Sequence, residues 1–471
     1  MLVLSTPSAH LTGICGAGMR SLADYLCDRG WMVSGSDAVV PLSVRQHFLR
    51  RGIQVHQGHE AGNVPPECSA HIYSLAVGEE NSERIAATRA GVPSFSYAEY
   101  LGQTLQNRRG IAIAGTHGKT TCSLLLHHLL QTAGYDAGLI AGGKLQQQDN
   151  SGHFGRESEL IVEACEFRGS FLQLQPRLAA VLNVEADHFD CYPDGRSLLQ
   201  AFRDFTHRID RSGLLIANAD CAATLRTIAD SRCSVALFTT EPTATFLPDA
   251  EIWRISEIVE SATGTSFTLR HNDELLSLAL TVCGRHQVMN ATAAGLLARQ
   301  VGLSWESIAE GLRTFPGVDR RFHLRGRRNG AYLIDDYAHH PSELRATFQA
   351  VRQRFPGSYI RAFFQPHQIQ RTEMLLDQFA DALLEADETT ILPIFAARET
   401  PDDRVRSTAE KLVEAGNSRG GRFAFCPSLD QMRSRLDDSR HVMTGSRAEV
   451  IVTLGAGNID RIYDELPGFL C

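Results

Sequence analysis

Apolar and polar positions follow one another along the chain in a pattern that predicts strands and helices in turn. An apolar segment reaches Gly13, and the following MRSLADYLCDRG has apolar residues at helical spacing before Gly30. WMVSGSD then predicts a second short strand ending at Asp37, and HIYSLAV (71–77) and VPSFS (92–96) predict two more. This order of strand, glycine turn, helix, strand and acid is typical of the start of a dinucleotide-type βαβ unit.

The same alternation continues in two further parts of the chain. After the polar stretch GQTLQNRRG, we predict strands at 111–115, 159–164, 178–183 and 213–217, and helices at 120–133, at 197–209 and from His286 onward. After FPGVDRRFHLRGR, we predict strands in AYLIDDYA, YIRAFFQ, TTILPIF and AEVIVTL, and helices at 341–355 and 371–386. The sequence thus predicts an α/β fold of three domains with mostly parallel sheets. They are an N-terminal Rossmann-like domain (1–107), a central domain (108–315) and a C-terminal Rossmann-like domain (316–471).

Composition and charge exclude several classes of protein. With 43% hydrophobic and 21% charged residues, the 471-residue chain has the composition of an ordinary globular protein. No apolar run approaches the roughly 18 residues that span a bilayer, and no basic residue precedes Arg20 as in a secretory signal. The net charge of −8 argues against nucleic acid or an anionic membrane as partner. Because the 11 cysteines include no C-x-x-C pair, we expect reduced thiols and a cytoplasmic location.

The segment AGTHGKTT (114–121) carries the strongest chemical signal. It lies between a predicted buried strand and a predicted helix, where the backbone N–H groups of a glycine turn bind phosphate. Lys119 would reach the β- and γ-phosphates, and Thr120 would offer its hydroxyl to Mg²⁺. Ile113 stands where the first glycine of G-x-x-x-x-G-K-[ST] is expected, so the loop is shorter than usual. We interpret the segment as a P-loop and the central domain as an ATPase domain.

A second glycine loop, GICGAG (13–18), follows the first predicted strand. In the G-x-G-x-x-G pattern its second glycine is replaced by Cys15, although Gly16 could let the backbone approach a pyrophosphate instead. Asp37 lies about 20 residues further on, where a ribose-binding acid is expected. Three interpretations stay open: a turn that binds nothing, a nicotinamide oxidoreductase, or a site for a nucleotide-linked substrate such as a UDP-sugar. The oxidoreductase interpretation leaves GTHGKTT unexplained.

Acidic, amide and histidine residues stand at the ends of the strands predicted after the P-loop. They are Glu163, Asn183, Glu185, Asp187, His188 and Asp190. Mg²⁺ prefers oxygen ligands and usually takes one or two carboxylates besides phosphates and water. Glu163 and His188 could complete such a site, and the histidine ligand would suit Mn²⁺ better than Mg²⁺.

The third domain contains a comparable group at its first predicted parallel strand. Its members are Asp335, Asp336, Tyr337, His339 and His340, with His367 in a later loop. Ligands of open α/β sheets bind beyond the carboxyl ends of strands, which favours a binding role. The alternative is that His340 and His367 are packed residues at helix starts.

Taken in order, these motifs resemble those of the Mur ligases of peptidoglycan synthesis, and most of all the alanine-adding subfamily. The matching segments are GICGAGM, VSGSD, GTHGKTT, VEACEFRGSFL, NVEADHFDCY, GRHQVMNATAA, FPGVDRRF, DDYAHHPSE, FQPHQIQRT and GAGNI. The resemblance implies an N-terminal domain for UDP-N-acetylmuramate, a central domain for ATP and a C-terminal domain for L-alanine. It implies amide formation in which ATP first phosphorylates the lactyl carboxylate, and the amine then displaces phosphate. It also implies a monomer or homodimer that needs Mg²⁺, with Mn²⁺ as the alternative metal, and that binds no nucleic acid or membrane.

The resemblance also assigns roles to individual residues. The ATP-binding residues would be Gly115, Thr116, His117, Gly118, Lys119, Thr120, Thr121, His286, Asn290, Arg321 and Asp336. The metal ligands would be Thr120, Glu163 and His188, and the catalytic residues Lys119, Glu163, His188 and Arg321. The UDP-sugar would contact Gly16, Ala17, Gly18, Asp37 and His59. The amino acid would contact Tyr337, His339 and Arg371, the last through its carboxylate.

Two features of the sequence bear on membership of the subfamily. Several Mur ligases bridge magnesium with a carbamoylated lysine, but no lysine occurs between Lys144 and Lys411. The alanine-adding subfamily is expected to lack this lysine, so its absence favours the assignment. In contrast, Cys15 and the segment ACEFRGSF depart from the commoner G-I-G-G-A-G-M and E-A-D-E-S-D patterns.

Two alternatives to an alanine-adding ligase share part of this pattern. A ligase that recycles murein tripeptide onto the same UDP-sugar shares the G-I-C-G loop, the P-loop and the D-D-[FY]-A-H-H-P motif. A catalytically silent nucleotide-binding homologue would be indicated by loss of Lys119, Glu163 or His188, and all three are present.

Overall fold

A computed structural model describes residues 6–242, 247–397, 399–400, 402–436 and 447–465 of the chain. Within these residues the backbone forms three successive β-sheets of five, ten and six strands, each flanked by helices. Most neighbouring strands are parallel. The predicted α/β fold of three domains is therefore confirmed.

The first sheet has five parallel strands in the order β3-β2-β1-β4-β5. Its elements are β1 (Ser8–Thr12), α1 (Ala17–Asp28), β2 (Met32–Asp37), α2 (Leu42–Arg50), β3 (Gln54–Gln57), β4 (Ala70–Tyr73), α3 (Ser82–Arg89), β5 (Ser94–Ser96) and α4 (Tyr97–Gln106). β1 lies in the middle, and its Ala9 and Leu11 are buried. The glycine loop after β1 is tied to β2, because the N–H groups of Gly13 and Ile14 donate to Ser36 O at 2.8 and 3.0 Å.

The second sheet has ten strands in the order β15-β14-β13-β12-β11-β10-β6-β9-β7-β8. Its strands are β6 (Arg109–Ala114), β7 (Gly138–Ile140), β8 (Gly152–His153), β9 (Glu159–Ala164), β10 (Leu178–Val181), β11 (Leu214–Asn218), β12 (Ser234–Thr239), β13 (Glu251–Ser261), β14 (Gly264–His271) and β15 (Glu274–Leu280). Its helices are α5 (Lys119–Thr132), α6 (Gly195–Thr206), α7 (Ala222–Ile228), α8 (Arg285–Val301) and α9 (Trp305–Thr314). The P-loop joins β6, in the interior of the sheet, to α5.

The third sheet has six strands in the order β16-β17-β21-β18-β19-β20, of which only β16 is antiparallel to its neighbour. Its strands are β16 (His323–Arg328), β17 (Ala331–Asp336), β18 (Tyr359–Phe364), β19 (Glu388–Ile391), β20 (Phe423–Phe425) and β21 (Glu449–Leu454). Its helices are α10 (Pro341–Arg354), α11 (Ile369–Met374), α12 (Leu376–Leu383), α13 (Arg404–Ser418), α14 (Leu429–Leu436) and α15 (Ile462–Glu465).

The structure adds three long strands that the sequence analysis did not predict. β13, β14 and β15 pair antiparallel with one another and extend one edge of the central sheet. Within β13 only W-R-I-S (253–256) alternates strictly between apolar and polar positions, so the sequence signal for this strand was weak. The helix predicted at 371–386 is instead two helices, α11 and α12, which meet at Leu375. The domain boundaries placed at 107/108 and 315/316 stay a prediction.

Apolar packing is more extensive between the N-terminal and central domains than between the central and C-terminal domains. One buried cluster includes Leu22 and Leu26 of α1 together with Leu160 and Val162 of the central sheet. Polar contacts reinforce this interface, since Ser21 Oγ donates to Ser151 O and accepts from Ala141 N, both at 2.9 Å. The third domain has a separate cluster, against which Phe189 of the central domain packs.

Substitution of one leucine in the buried cluster shared by the first two domains is expected to destabilise the fold strongly. Leu215 of β11 is 0% exposed, so Leu215→Ala removes buried apolar surface and leaves a cavity, at a cost of about 2–5 kcal/mol. The same change at Leu49, which is 67% exposed, should alter the free energy of unfolding by no more than about 0.5 kcal/mol. Urea unfolding followed by circular dichroism measures both, and equal shifts of the midpoint would contradict the described core.

Candidate active site

Three parallel strands of the central sheet bring the chemically active loops to one edge. In the register of β6 with β9, Ile113 pairs with Glu163, and in that of β6 with β10, Ala114 pairs with Val181. The segments that follow β6, β9 and β10 therefore leave the sheet side by side. These segments contain the P-loop, Glu166 and the motif with His188, as expected for a site beyond the carboxyl ends of parallel strands.

The P-loop is a preformed turn held against the end of β10. The backbone N–H of Thr116 donates to Asn183 O at 3.1 Å, and that of His117 donates to Asn183 Oδ1 at 2.8 Å. Gly118 has a φ of +84°, and a Cβ there would lie 2.5 Å from Asn290 Oδ1, so only glycine fits. The loop leads directly into the 14-residue helix α5, whose N-terminus suits an anion.

Lys119 is folded back onto protein acceptors. Its Nζ donates to Gly115 O at 2.5 Å, to Thr116 O at 3.1 Å and to Glu166 Oε2 at 2.8 Å. Burial opposes both charges, but their mutual attraction outweighs it, raising the pKa of Lys119 and lowering that of Glu166 to about 2. Sequence reasoning missed Glu166, although an acid three residues after Glu163, just past the end of β9, was a usable signal.

The three predicted metal ligands lie around this ion pair. Glu163 accepts hydrogen bonds from Gly142 N, at 2.8 Å, and from the Thr120 hydroxyl, so these two residues are brought together. His188 has a left-handed φ of 52°, and its Nε2 lies 3.4 Å from Glu166 Oε1. Its buried Nδ1 has no hydrogen-bond partner among the described residues. A hydroxyl, a carboxylate and an imidazole nitrogen without a partner fit a divalent cation.

A cavity of about 190 Å³ lies between the central domain and the C-terminal domain. Seven of the predicted ATP-binding residues line it: His117, Gly118, Thr121, His286, Asn290, Arg321 and Asp336. The other four, Gly115, Thr116, Lys119 and Thr120, belong to the adjoining P-loop and the start of α5. The lining also includes residues not predicted to bind ATP, among them Asn183, Glu185, Gln287, Phe322, Ser342 and Glu343.

Two of the lining side chains have strongly shifted pKa values because of burial. Burial lowers the pKa of His286 to about 4, so this imidazole is neutral at physiological pH. Burial raises the pKa of Asp336 to about 6. The Asp336 carboxylate accepts from the N–H groups of Phe322 and Ala338, at 2.9 and 2.8 Å, and from the Thr347 hydroxyl. It therefore shapes the turn at the end of β17 as well as lining the cavity.

His117 of the P-loop is held by carboxylates of two domains. Its Nδ1 lies 3.1 Å from Glu343 Oε1, and its Nε2 lies 3.5 Å from Glu185 Oε2. Glu343 also accepts from His339 N at 2.9 Å and lies 3.6 Å from an Arg321 guanidinium nitrogen. Burial opposes a charge on His117, but Glu343 and Glu185 outweigh it and raise the pKa of His117 to about 10.

The predicted amino-acid residues form one cluster in the C-terminal domain. The His339 ring lies edge-on to the rings of Tyr337 and His367, with centroids 5.4 and 5.8 Å apart. His367 Nδ1 lies 3.1 Å from Arg371 Nη1. Arg371 is only 3% exposed, and its Nε and Nη2 both lie 2.8 Å from Asp187 Oδ1. The arginine predicted to bind the amino-acid carboxylate therefore holds a carboxylate of the central domain.

The predicted UDP-sugar residues surround the first glycine loop. Asp37 Oδ2 accepts from Cys15 N at 2.9 Å, so this acid holds the loop itself. Gly16 caps α1, and Ala17 and Gly18 form its first turn. His59 Nδ1 lies 2.8 Å from the Ser36 hydroxyl.

A buried acid supports this edge of the first domain and was missed by sequence reasoning. Glu83 is 0% exposed and accepts from the hydroxyls of Ser36 and Thr12, at 2.5 and 2.6 Å, and from Asn63 Nδ2 at 2.8 Å. Glu83 Oε2 also lies 3.3 Å from His10 Nε2, and Glu83 Oε1 accepts from Glu60 N at 3.3 Å. Burial opposes its charge, but these hydrogen bonds outweigh it and lower the pKa of Glu83.

Comparison with known proteins covers nearly the whole chain. Residues 8–109 match the model of the Mur ligase family, catalytic domain, residues 113–298 the Mur ligase middle domain, and residues 320–457 the Mur ligase, glutamate ligase domain. A UDP-N-acetylmuramate–L-alanine ligase of Clostridium acetobutylicum is 34% identical over 460 residues, 96% of either chain. One of Solibacter usitatus is 36% identical over 454 residues, which cover 96% of this chain and 92% of the relative.

Solved structures show the same fold. A UDP-N-acetylmuramate–alanine ligase of Thermotoga maritima superposes with a TM-score of 0.80 at 24% identity, covering 97% of both chains. A murein peptide ligase of Psychrobacter arcticus has a TM-score of 0.73 at 24% identity, covering 98% of both. In the described part of this chain, no helix combines the length and the apolar character needed to cross a membrane.

The ionic contacts of His117 predict how stability depends on pH. Because the pKa of His117 is about 10 when folded and about 6.5 when unfolded, its contribution is complete below pH 6.5 and is lost as pH rises toward 10. His117→Gln should therefore lower the melting temperature most near pH 6, and the difference from the wild type should shrink toward pH 10. Thermal unfolding across that range tests this, and a difference independent of pH would contradict it.

Proposed function

Because the chain belongs to the Mur ligase family, we propose that it is an ATP-dependent ligase joining L-alanine to the lactyl carboxylate of UDP-N-acetylmuramate. The full-length relatives that carry this activity in their names support the choice of substrates. The arrangement that carries the proposal is the P-loop with Lys119 beside an interdomain cavity, next to a cluster that contains Arg371. The reaction serves peptidoglycan synthesis and, because it consumes ATP, takes place in the cytoplasm.

The proposed chemistry proceeds in two steps. A carboxylate is a poor electrophile at neutral pH, so the γ-phosphoryl group of ATP is first transferred to an oxygen of the lactyl carboxylate, releasing ADP. The amine of L-alanine then attacks the carbonyl carbon of the acyl phosphate, and inorganic phosphate leaves with the former carboxylate oxygen. The protein mainly has to position the reactants and stabilise the negative charge that spreads over the phosphoryl oxygens.

The residues around the cavity suit this charge stabilisation. In the proposed reaction, Lys119 releases Glu166 and binds the phosphoryl group that is being transferred. Arg321 lies at the cavity wall, where its guanidinium can bind two phosphate oxygens at once. Neutral His286 and Asn290 line the part of the cavity that would hold the adenine. Thr120, Glu163 and His188 would hold Mg²⁺ or Mn²⁺, which supplies further positive charge beside the phosphates.

The C-terminal cluster suits a small amino acid. Arg371 is fixed from two sides by Asp187 and His367, so a ligand carboxylate would bind it by taking the place of the Asp187 carboxylate. Burial lowers the pKa of His339 to about 4, so a neutral imidazole stands beside Tyr337. This neutral imidazole can accept a hydrogen bond from the ammonium group of the amino acid, but with so low a pKa it is too weak a base to deprotonate that group.

A panel of amino-acid substrates tests the proposal. Phosphate release from ATP, with UDP-N-acetylmuramate and Mg²⁺ present, should be at least about tenfold faster with L-alanine than with glycine or L-serine. Glycine lacks the methyl group of alanine and serine adds a hydroxyl, and either change weakens binding in the pocket by about 1–3 kcal/mol. Murein tripeptide serves as the fourth substrate. Release with tripeptide alone would identify a recycling ligase, and release with none of the four would refute the proposed function.

Removal of the P-loop lysine should separate catalysis from sugar binding. Lys119→Ala is expected to reduce turnover at least about 100-fold, because an electrostatic contact to the transferred group is lost. Binding of UDP-N-acetylmuramate should change less than about twofold, because its proposed site lies in another domain. Calorimetry measures the binding and phosphate release the turnover.

Lys119→Ala deprives the buried Glu166 of its lysine partner and leaves it only the contact with His188, so a second variant controls for folding. Lys119→Met combined with Glu166→Gln removes both charges together and should restore stability without restoring turnover. Equal losses of sugar binding and turnover in both variants would contradict the division of roles between the domains.

A further inference from the structure

A cluster of three metal-binding side chains lies where the P-loop meets the C-terminal domain. His117 comes from the P-loop, Glu185 from the segment after β10, and His340 from the residue that caps α10. One ligand atom of each lies within 4.8 Å of the others. His117 is one of the predicted ATP-binding residues and Glu185 lines the same cavity, but ATP binding does not account for the convergence of two histidines and a carboxylate at one point.

The spacing of these atoms is close to that of a tetrahedral metal site. With bonds of about 2.0–2.1 Å, two tetrahedral ligands of Zn²⁺ lie about 3.3 Å apart. Glu185 Oε2 lies 3.5 Å from His117 Nε2 and 3.7 Å from His340 Nδ1. If the two distances from Glu185 Oε2 shorten by a few tenths of an ångström, and the distance between the two imidazole nitrogens by more, all three atoms can bind one ion.

A further carboxylate already orients one of the ligands. Glu343 Oε1 lies 3.1 Å from His117 Nδ1, so it holds the far side of the imidazole and leaves Nε2 toward the cluster. Histidine ligands of metals usually have such a carboxylate partner. Glu343 is in turn fixed by the N–H of His339.

The hydroxyl of Ser342 occupies the centre of the cluster in the structure. It donates to Glu185 Oε2 at 2.8 Å and lies 2.7 Å from His340 Nδ1 and 3.2 Å from His117 Nε2. A polar atom at this point shows that the three side chains converge on a common position. Rotation about one side-chain bond would remove the hydroxyl from that position.

We propose that His117, Glu185 and His340 form a second metal site, for a divalent transition metal ion such as Zn²⁺, that holds the P-loop to the C-terminal domain. Two imidazoles and one carboxylate favour Zn²⁺ over Mg²⁺, which takes oxygen ligands. Metal binding displaces the proton on His117 Nε2 into solvent. Because His117 and Glu185 line the cavity, the metal and ATP exclude each other, and Zn²⁺ inhibits the enzyme in competition with ATP.

Zinc titration of the nucleotide-free protein tests the proposal without relying on activity. All proteins in this experiment carry His188→Gln, and Mg²⁺ is present in excess, so that Zn²⁺ does not bind at the Mg²⁺ site proposed above. In this background, calorimetry should detect one equivalent of bound Zn²⁺, Co²⁺ should give the visible absorption of a tetrahedral site, and ATP should weaken Zn²⁺ binding at least tenfold. Absence of Zn²⁺ binding, or binding that ATP leaves unchanged, would overturn the proposal.

Substitutions identify the ligands. His340→Asn keeps a residue suited to the N-terminal cap of α10 but removes the imidazole, and should weaken Zn²⁺ binding more than about 100-fold. Glu343→Gln should weaken it by about 10- to 100-fold, the usual effect of losing a carboxylate that orients a ligand. The exposed His56 provides the matched control, His56→Asn, which should bind Zn²⁺ like its parent.

A fourth variant distinguishes two interpretations of the cluster, a metal site and a hydrogen-bonded network centred on the Ser342 hydroxyl. Ser342→Ala should bind Zn²⁺ at least as tightly as its parent, because the competing hydroxyl is gone. Loss of Zn²⁺ binding in Ser342→Ala, or unchanged binding in a folded His340→Asn protein, would refute the assignment. Melting temperatures of all variants establish that each is folded.

Discussion

Every cation of the candidate site that is proposed to bind an anion is held by a carboxylate of the protein itself. Lys119 contacts Glu166, Arg371 contacts Asp187, and one guanidinium nitrogen of Arg321 approaches Glu343. A buried charge without a partner is very costly, so a site built to bind phosphates and carboxylates needs substitutes when those ligands are absent. Exchange of each internal carboxylate for a substrate anion keeps the positive charges paired throughout the proposed reaction.

These ion pairs also join two domains that share little apolar packing, mainly that of Phe189 against the C-terminal cluster. The first and central domains share a buried cluster, whereas the C-terminal domain has its own core. Arg371 with Asp187 and His117 with Glu343 both link the C-terminal domain to the central one. Neutral hydrogen bonds from Gln353 to Ser261 O, Gly264 O and the Thr265 hydroxyl join the same two domains. Ligand binding between these domains changes charge pairing at the interface and leaves the two cores intact.

Local sequence patterns were sufficient for about half of the strands and helices and for the strand ends at which the candidate site lies. The strand predicted at 159–164 agrees with β9, and the helix predicted at 120–133 agrees with α5 to within one residue. Chemically active residues were expected at strand ends, and the parallel register of β6, β9 and β10 places them at one edge. The helix predicted at 371–386 failed because periodicity does not reveal the break at Leu375.

The sequence by itself determined the alternation of strands and helices, the P-loop and the family of the chain, because these depend on neighbouring residues and on motif order. Only the tertiary structure decided which acid holds which cation. Glu166 lies 47 residues from Lys119, Asp187 lies 184 residues from Arg371, and Glu343 lies 226 residues from His117. Such partners are selected by the packing of sheets and domains, since Coulomb attraction depends on distance in space and not on separation along the chain.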